Sequence, residues 1–384
     1  MKIVDLRTSV VWTSHERSWL FVEVHTDDGL VGLGEASQSR NDAGVIEEIK
    51  RLVPQYVGKD PLDLIEQRQR LLEWPYVGRT LFAAVSGIEQ ALWDLCGKHL
   101  GVPVYQLLGG RVRSAVRAYA NIGYAAAARD TESLATAARG AVADGFDAVK
   151  FYPFGMRPVD GMLASEERRW IAEGIENVRV VRETVGNDVD VMVDLMHQFS
   201  DVKQLREIAE RLDPYDLFWI EDPFTHDHPA QLAELRASIR CRLAGGAPLL
   251  SLQDWLPLLQ AGALDVLMPD VKWLGGINQV RKVAAVSEAF GVQVSPHNAS
   301  GPVASAASLH LSLSIASFII LEYPWGVPTW RSALCRNTET LTGGCFLPPG
   351  APGLGVELDT LVAGEHRAPP PGGPGARGIT LPRH

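Results

Sequence analysis

Five titratable side chains recur at nearly even intervals in the second half of this 384-residue sequence: Asp194, Glu221, Asp270, His297 and Glu322. With Ala247 counted as the stop between Glu221 and Asp270, each step is 23 to 27 residues, the length of one strand plus one helix. Two carboxylates brought together repel unless one takes a proton or a cation lies between them. Asp194 and Glu221 are such a pair, and hard oxygen donors in an octahedral shell suit Mg2+. A cation there binds a substrate carboxylate and stabilises the charge that develops as the proton on the α-carbon leaves. His297 is the natural base, because neutral imidazole titrates near working pH. Asp270, one unit earlier, is placed to hold its other ring nitrogen. A single carboxylate at a strand end is ordinarily a helix cap or a solvated loop charge, but five groups at matching points of successive units argue against that.

The elements that must carry these groups are short apolar runs alternating with amphipathic stretches. The runs are Ala118 to Tyr124, Ala148 to Pro153, Val189 to Leu195, Leu217 to Asp222, Cys241 to Gly246, Leu264 to Asp270, Val292 to Pro296 and Phe318 to Glu322. Helical stretches such as Ser165 to Thr184, Val202 to Leu212 and Ile277 to Phe290 lie between most of them. Eight strands alternating with helices predict an α/β fold, a (β/α) barrel with its reacting groups at the C-terminal strand ends. A doubly wound open sheet is the rival, weakened by the count and by the lack of a Gly-rich first turn. The first 114 residues read as α+β. Trp19 to Thr26 alternates like a strand, Asp27-Asp28-Gly29 signals a hairpin, and Gly44 to Gly97 is helical with breaks at Pro54, Pro61 and Pro75. Gly29, Gly32 and Gly34 do not make a phosphate loop, since no helix follows directly. Residues 115–324 form the barrel, and residues 325–384 a C-terminal segment whose Pro- and Gly-rich tail reads as irregular.

Composition bounds the partners. With 36 basic against 46 acidic residues the formal net charge is −10, the wrong sign for a phosphate-backbone partner and suited to holding a cation. No run approaches the ~18–20 apolar residues that span a bilayer, and the start lacks the apolar core of a signal peptide. Cys96, Cys241, Cys335 and Cys345 are far apart with no CxxC pair, so neither disulfides nor a zinc knuckle is expected. The expectation is a cytoplasmic protein acting on a small molecule, with no nucleic acid and no membrane as partner.

The chain resembles the enolase superfamily, in its mandelate racemase/muconate lactonizing enzyme-like subgroup, over nearly its whole length. The likeness rests on Asp27-Asp28-Gly29 with Gly32 to Glu35, Ala91 to Leu95 and Leu107 to Gly110. It continues through Trp219-Ile220-Glu221-Asp222-Pro223, Ala244-Gly245-Gly246, Pro269-Asp270 with Gly275-Gly276-Ile277, Pro296-His297-Asn298 with Gly301-Pro302, Leu321-Glu322 and Pro352 to Gly355. The resemblance implies a (β/α)7β TIM-like barrel, an N-terminal α+β capping domain completed by C-terminal residues, Mg2+, and formation of a metal-stabilised enediolate from a carboxylate substrate. It further implies Asp194 and Glu221 as metal ligands, His297 with Asp270 as base dyad and Glu322 as the acid that hydrogen-bonds the enediolate. Lys150 is implied to face the substrate carboxylate, and the protein to be a homo-oligomer. In the loop Ser14 to Arg17, His15 or Arg17 contacts substrate hydroxyls or a distal carboxylate, or is solvated.

Two departures shape the expected chemistry. The second lysine of the Lys-x-Lys motif is replaced by Tyr152, and a Tyr of pKa ~10 is a poor base. One base on one face favours β-elimination over racemisation, so the expectation is a sugar-acid dehydratase. His297, Tyr152 or a metal-bound water then protonates the leaving hydroxyl. His197 is a further candidate acid, although strand alternation from Asp194 points it away. A racemase, an epimerase, a cycloisomerase or a noncatalytic binding relative are the alternatives. The second departure is Ala247, which stands where the family carries a third metal-ligating Glu. A methyl group coordinates nothing, so weak or absent activity is expected of the sequence as written, unless a water or a neighbouring acid fills the gap. His226-Asp227-His228 reads as surface residues rather than a zinc pair, and Tyr323 and Trp325 as pocket lining or packing under the cap.

Overall fold

In the computed structural model, residues 1–14, 17–38, 41–63, 78–126, 130–158, 161–326, 328–336 and 340–367 are described. His15, Pro75 and the Pro-rich tail fall outside them. The strands β1 (Ile3–Ser14), β2 (Arg17–Thr26) and β3 (Val31–Glu35) form an antiparallel sheet in that order. The hairpin expected at Asp27-Asp28-Gly29 joins β2 to β3, with His25 opposite Val31. β2, in the middle of the sheet, does not alternate between buried and exposed. Its two faces meet two different cores: Leu20, Val22 and Val24 pack with the cap helices Asp42–Tyr56 and Arg79–Leu100, while Trp19 and Phe21 join the barrel's hydrophobic cluster. The glycines once open to a phosphate-loop reading let the sheet approach a helix, for a Cβ on Gly34 would lie 1.9 Å from the Gly87 carbonyl oxygen.

Eight parallel strands follow: β4 (Val116–Asn121), β5 (Ala148–Phe151), β6 (Asp190–Asp194), β7 (Trp219–Glu221), β8 (Arg242–Gly245), β9 (Val266–Leu267), β10 (Gln293–Val294) and β11 (Leu321–Pro324). Each pairs with the next from β4 to β10, β11 pairs back to β4, and a parallel bridge between Val294 and Phe318 closes the ring. The barrel reading therefore holds over the open sheet. β4 is shorter than the apolar run predicts. It stops at Asn121, whose side chain accepts from the Gly123 N–H and turns Ile122–Tyr124 into a 3-10 helix.

Strand alternation fixes what the barrel holds inside. Tyr119, Ala148, Met192, Trp219, Met268 and Ile320 form an apolar plug, with Ala244 and Val266. Two residues further along, on the same inward face, stand Asn121, Lys150, Asp194, Glu221, Asp270 and Glu322, all buried. Trp325 lines a surface cavity with Ala125 and Thr136, past the end of β11. Tyr323 packs against Phe146 and Phe346, and the Trp325 indole donates to Asp144 at 2.8 Å, on the outer side of β11.

Three buried carboxylates of the N-terminal unit clamp it onto the rest. Glu35 accepts from the N–H groups of Gly301 (2.8 Å) and Ala304 (3.0 Å) at the start of the helix Pro302–Ser314. Glu89 does the same for Ile277 and Asn278, both at 2.8 Å. Asp94 ties the Leu33 N–H to that of Leu354 in the C-terminal segment. That segment also adds Cys345–Phe346 antiparallel to β4. Removing a partner from buried donors costs about 1–3 kcal/mol each. Glu35→Ala is therefore expected to lower unfolding free energy by about 2–4 kcal/mol, read from urea midpoints. Gly301→Ala should also destabilise, since its Cβ would sit 2.6 Å from a Glu35 oxygen. Unchanged midpoints in both variants would show that this clamp contributes nothing.

Candidate active site

The polar layer above the plug centres on Lys150. Its Nζ lies 2.7 Å from Glu221 Oε1, 3.0 Å from Glu322 Oε1 and 3.7 Å from Asp194 Oδ2, and the ammonium is fully enclosed. Asp194 and Glu221 are direct neighbours in the register of β6 and β7. The Met196 N–H donates to Asp194 and the Trp219 indole to Glu221, fixing both carboxylates. Burial resists the charge on Lys150, but Glu221 and Glu322 outweigh it and hold its pKa well above the ordinary value. Burial likewise pushes Asp194 up and Glu221 far up. Glu322 goes the other way: burial opposes its charge, yet Lys150, His297, the Asn298 N–H and Asn121 bring its pKa down to about 2. One ammonium thus serves three carboxylates, and it keeps Glu322 ionised at the expense of the other pair.

A donor set fit for a cation stands here. Ligand oxygens of Asp194, Glu221 and Asp222 lie within 4.8 Å of one another, all buried. A divalent ion among them would let both members of the Asp194–Glu221 pair ionise. Ala247, two residues past β8, is buried and contributes no donor.

Opposite this pair, His297 Nδ1 and Asp270 Oδ2 are 2.7 Å apart, so the ring donates there and leaves Nε2 as the basic nitrogen. That Nε2 lies 3.9 Å from Glu322 Oε2. Lys272, which the sequence did not single out, is buried beside the dyad. Its Nζ donates to Asp270 Oδ2 and to Ser300 Oγ, both at 2.6 Å. Burial opposes ionisation of Asp270, but Lys272 and His297 together depress its pKa to about 2. Asn121 is a second residue missed: it donates to Glu322 at 2.7 Å and to the Tyr152 phenol at 3.1 Å. Both were visible only as polar residues in otherwise apolar strand ends. Tyr152 follows Lys150 on the inward face, and burial first of all pushes its pKa far up, which keeps it a neutral phenol.

From the N-terminal unit, the Arg17 guanidinium lies 4.0 Å over the Tyr124 ring, which meets Tyr152 edge-on. Arg17 is therefore linked to the site through two aromatic rings. Arg79, also unforeseen, stacks 5.0 Å over Trp273, which in turn lies against His297. His197 does not join Lys150. Met196 and His197 take left-handed backbone angles, φ 54° and 55°, and the ring turns to Asp222, with Nε2 3.1 Å from Oδ2. His226 departs from the surface reading, for it is buried beside the same carboxylate, while His228 is exposed.

Lys272→Met removes one partner of a buried pair and is expected to cost about 3–5 kcal/mol at neutral pH. Because the folded protein depresses the pKa of Asp270, that stabilisation is complete above the unfolded value near 4 and is lost as pH falls toward about 2. The gap in urea midpoint between the two proteins should thus close on acidification. A gap that widened below pH 4 would contradict this assignment of charge.

Comparison with known proteins matches this geometry. Residues 3–109 fit the model of the mandelate racemase/muconate lactonizing enzyme N-terminal domain, and residues 133–362 that of the enolase C-terminal domain-like family. The D-gluconate dehydratase of Thermoproteus tenax is 34% identical over 375 residues, covering 96% of this chain and 73% of that protein. The D-galactonate dehydratase of Pectobacterium atrosepticum is 31% identical, over 89% of each. Among solved structures, a mandelate racemase/muconate lactonizing enzyme from Jannaschia sp. CCS1 superposes with a TM-score of 0.84 at 28% identity, over 96% of this chain and 98% of that one. An enolase from Agrobacterium radiobacter, with Na and L-malate bound, gives 0.83 at 28% identity, over 96% and 95%. By fold, site layout and sequence, the chain belongs to the mandelate racemase/muconate lactonizing enzyme family of the enolase superfamily.

Proposed function

We propose that this chain is a Mg2+-dependent dehydratase of a sugar acid, an aldonate or aldarate. Its relatives are named as dehydratases of D-gluconate and D-galactonate, and the observation that carries the reading is the asymmetry of the site. Among the described residues that reach the layer around Lys150 and Glu322, His297, paired with Asp270, offers a basic nitrogen on one side. Across from it stand an ammonium held by carboxylates and a neutral phenol, neither able to take a proton from carbon at neutral pH. Racemisation needs a base on both sides; elimination needs one.

Asp194 and Glu221, with Asp222 beside them, would hold the Mg2+ ion. When bound, it supplies Lewis-acid stabilisation to the substrate carboxylate and to the charge that develops on it. His297 Nε2 takes the proton from the α-carbon, and Asp270, already ionised, stabilises the imidazolium that forms. Glu322 enters as an acceptor rather than the hydrogen-bonding acid the resemblance implies, since three donors hold it ionised. Lys150 is then the group that donates toward the enediolate oxygen. The β-hydroxyl leaves as water after taking a proton from His297, now charged, or from Tyr152. The C–O electron pair goes with it, and the resulting enol becomes a 2-keto-3-deoxy acid. Arg17 and Arg79 carry positive charge to the substrate side and would meet distal hydroxyls or a second carboxylate.

The test is a panel of aldonic and aldaric acids with Mg2+, read as 2-keto-3-deoxy acid formation, on the native sequence and on Ala247→Glu. Ala247→Glu is expected to bind Mg2+ more tightly and turn over faster, and His297→Asn in that background to lose about 10²–10⁴-fold in rate. If no acid yields the keto product even from Ala247→Glu, the dehydratase reading fails. Deuterium exchange at the α-carbon without loss of water would point to racemisation instead.

A further inference from the structure

We propose that His197, Asp222 and His226 form a second cation site, beside the Asp194–Glu221 pair and selective for a borderline divalent ion of the zinc class. Ligand atoms of the three residues lie within 4.8 Å of one another. Asp222 stands between the two rings, its Oδ2 3.1 Å from His197 Nε2 and its Oδ1 3.2 Å from His226 Nε2. Two imidazole nitrogens and one carboxylate are the donors of a three-ligand zinc site with room left for water, and unlike the all-oxygen group they favour a transition ion over Mg2+.

Two observations suit this cluster to a cation. His197 Nδ1 lies 3.2 Å from the Phe224 carbonyl oxygen and so carries a proton. That leaves Nε2 of the neutral ring as a lone pair facing a carboxylate, which repels unless a proton or a metal lies between. His226, with a side chain only 4% exposed, has an Nε2 that lies 3.2 Å from Asp222 Oδ1 and is left without a hydrogen bond. A buried nitrogen without a partner is costly, and a ligated one is not.

The backbone serves the same arrangement. His197 and Asp222 both adopt left-handed angles, φ 55° and 44°, and the His197 N–H donates to the Asp222 carbonyl at 2.7 Å, locking the two turns together. Gly245 leaves the space they fill: a Cβ there would lie 2.3 Å from Asp222 Oδ1 and 2.9 Å from His226 Nε2. Access is from the His197 side, which is 26% exposed. The competing state is metal-free, with His197 as an imidazolium; burial opposes that charge and Asp222 favours it, pushing the pKa up to about 9.

Calorimetric titration of the full chain, stripped with chelator and kept in excess Mg2+, decides between the two. One Zn2+ per chain is expected, with affinity at least about 10–100-fold weaker in His226→Gln and in His197→Gln. Glu221→Gln should instead weaken Mg2+ binding and leave Zn2+ affinity within a few-fold. Co2+ in place of Zn2+ should give visible absorption bands that both histidine variants lose. His197 is partly exposed, so its variant reports even if His226→Gln fails to fold. No Zn2+ bound to the native protein, or Zn2+ lost with Glu221→Gln and retained in His197→Gln, would overturn the site.

Discussion

A surplus of buried negative charge at the mouth of the barrel governs the rest of the structure. Asp194, Glu221 and Glu322 share one ammonium, and Asp222 and Asp270 stand close by, all out of contact with bulk water. Desolvation of so many carboxylates is tolerable only where each finds donors, and the surrounding residues supply them. Asn121 and the Asn298 N–H serve Glu322, Lys272 and His297 serve Asp270, and the Trp219 indole serves Glu221. The Asp194–Glu221 pair has one donor each besides the shared ammonium, and burial still pushes both carboxyls up; a divalent cation between them would relieve that.

Charge at the mouth also explains why the N-terminal unit must be held rigidly. It brings Arg17 and Arg79 toward the site, and their usefulness depends on where the unit sits. Glu35 and Glu89 place it by binding buried N–H groups that lack an intrahelical partner at the starts of two barrel helices. The motifs at Gly275-Gly276-Ile277 and Gly301-Pro302 are the receiving ends of those contacts. Their glycines leave the space that the carboxylates occupy. The sequence shows these stretches as family signatures, and the structure shows that they serve docking rather than chemistry.

Most of the barrel was legible because strand alternation writes itself into sequence. Met192-Val193-Asp194, Trp219-Ile220-Glu221, Met268-Pro269-Asp270 and Ile320-Leu321-Glu322 each place an apolar plug residue two positions before a polar one. That spacing survives whatever the intervening helix does. Legibility ended where the chain left the strands. Alternation from Asp194 keeps His197 away from Lys150 but does not show its partner Asp222, because the backbone turns left-handed at Met196, a conformation that non-glycine residues rarely adopt. His226 reads as a surface residue in sequence because its partner, Asp222, lies four residues away in the turn after β7, where strand alternation no longer applies. Lys272 lay one residue past Val271 in a run read for Asp270 alone, and nothing in its spacing distinguishes a buried lysine from a solvated one.

Ala247 gains its meaning from Asp222. The resemblance implies a carboxylate at position 247 as the third acid beside Asp194 and Glu221; in this chain the acid that clusters with that pair is Asp222. Yet Asp222 is turned by its left-handed backbone so that both of its oxygens also face imidazoles, and the Gly246 N–H adds a 3.2 Å contact to Oδ1. The same carboxylate therefore belongs to two donor groups of different hardness. Whatever draws its charge toward His197 and His226 weakens what it offers beside Glu221, and the reverse holds by linkage. With alanine at position 247, a cation in the oxygen-lined half would draw on the same Asp222 carboxylate that the histidine-lined half shares, so the affinity of one half would depend on the protonation and ligation of the other.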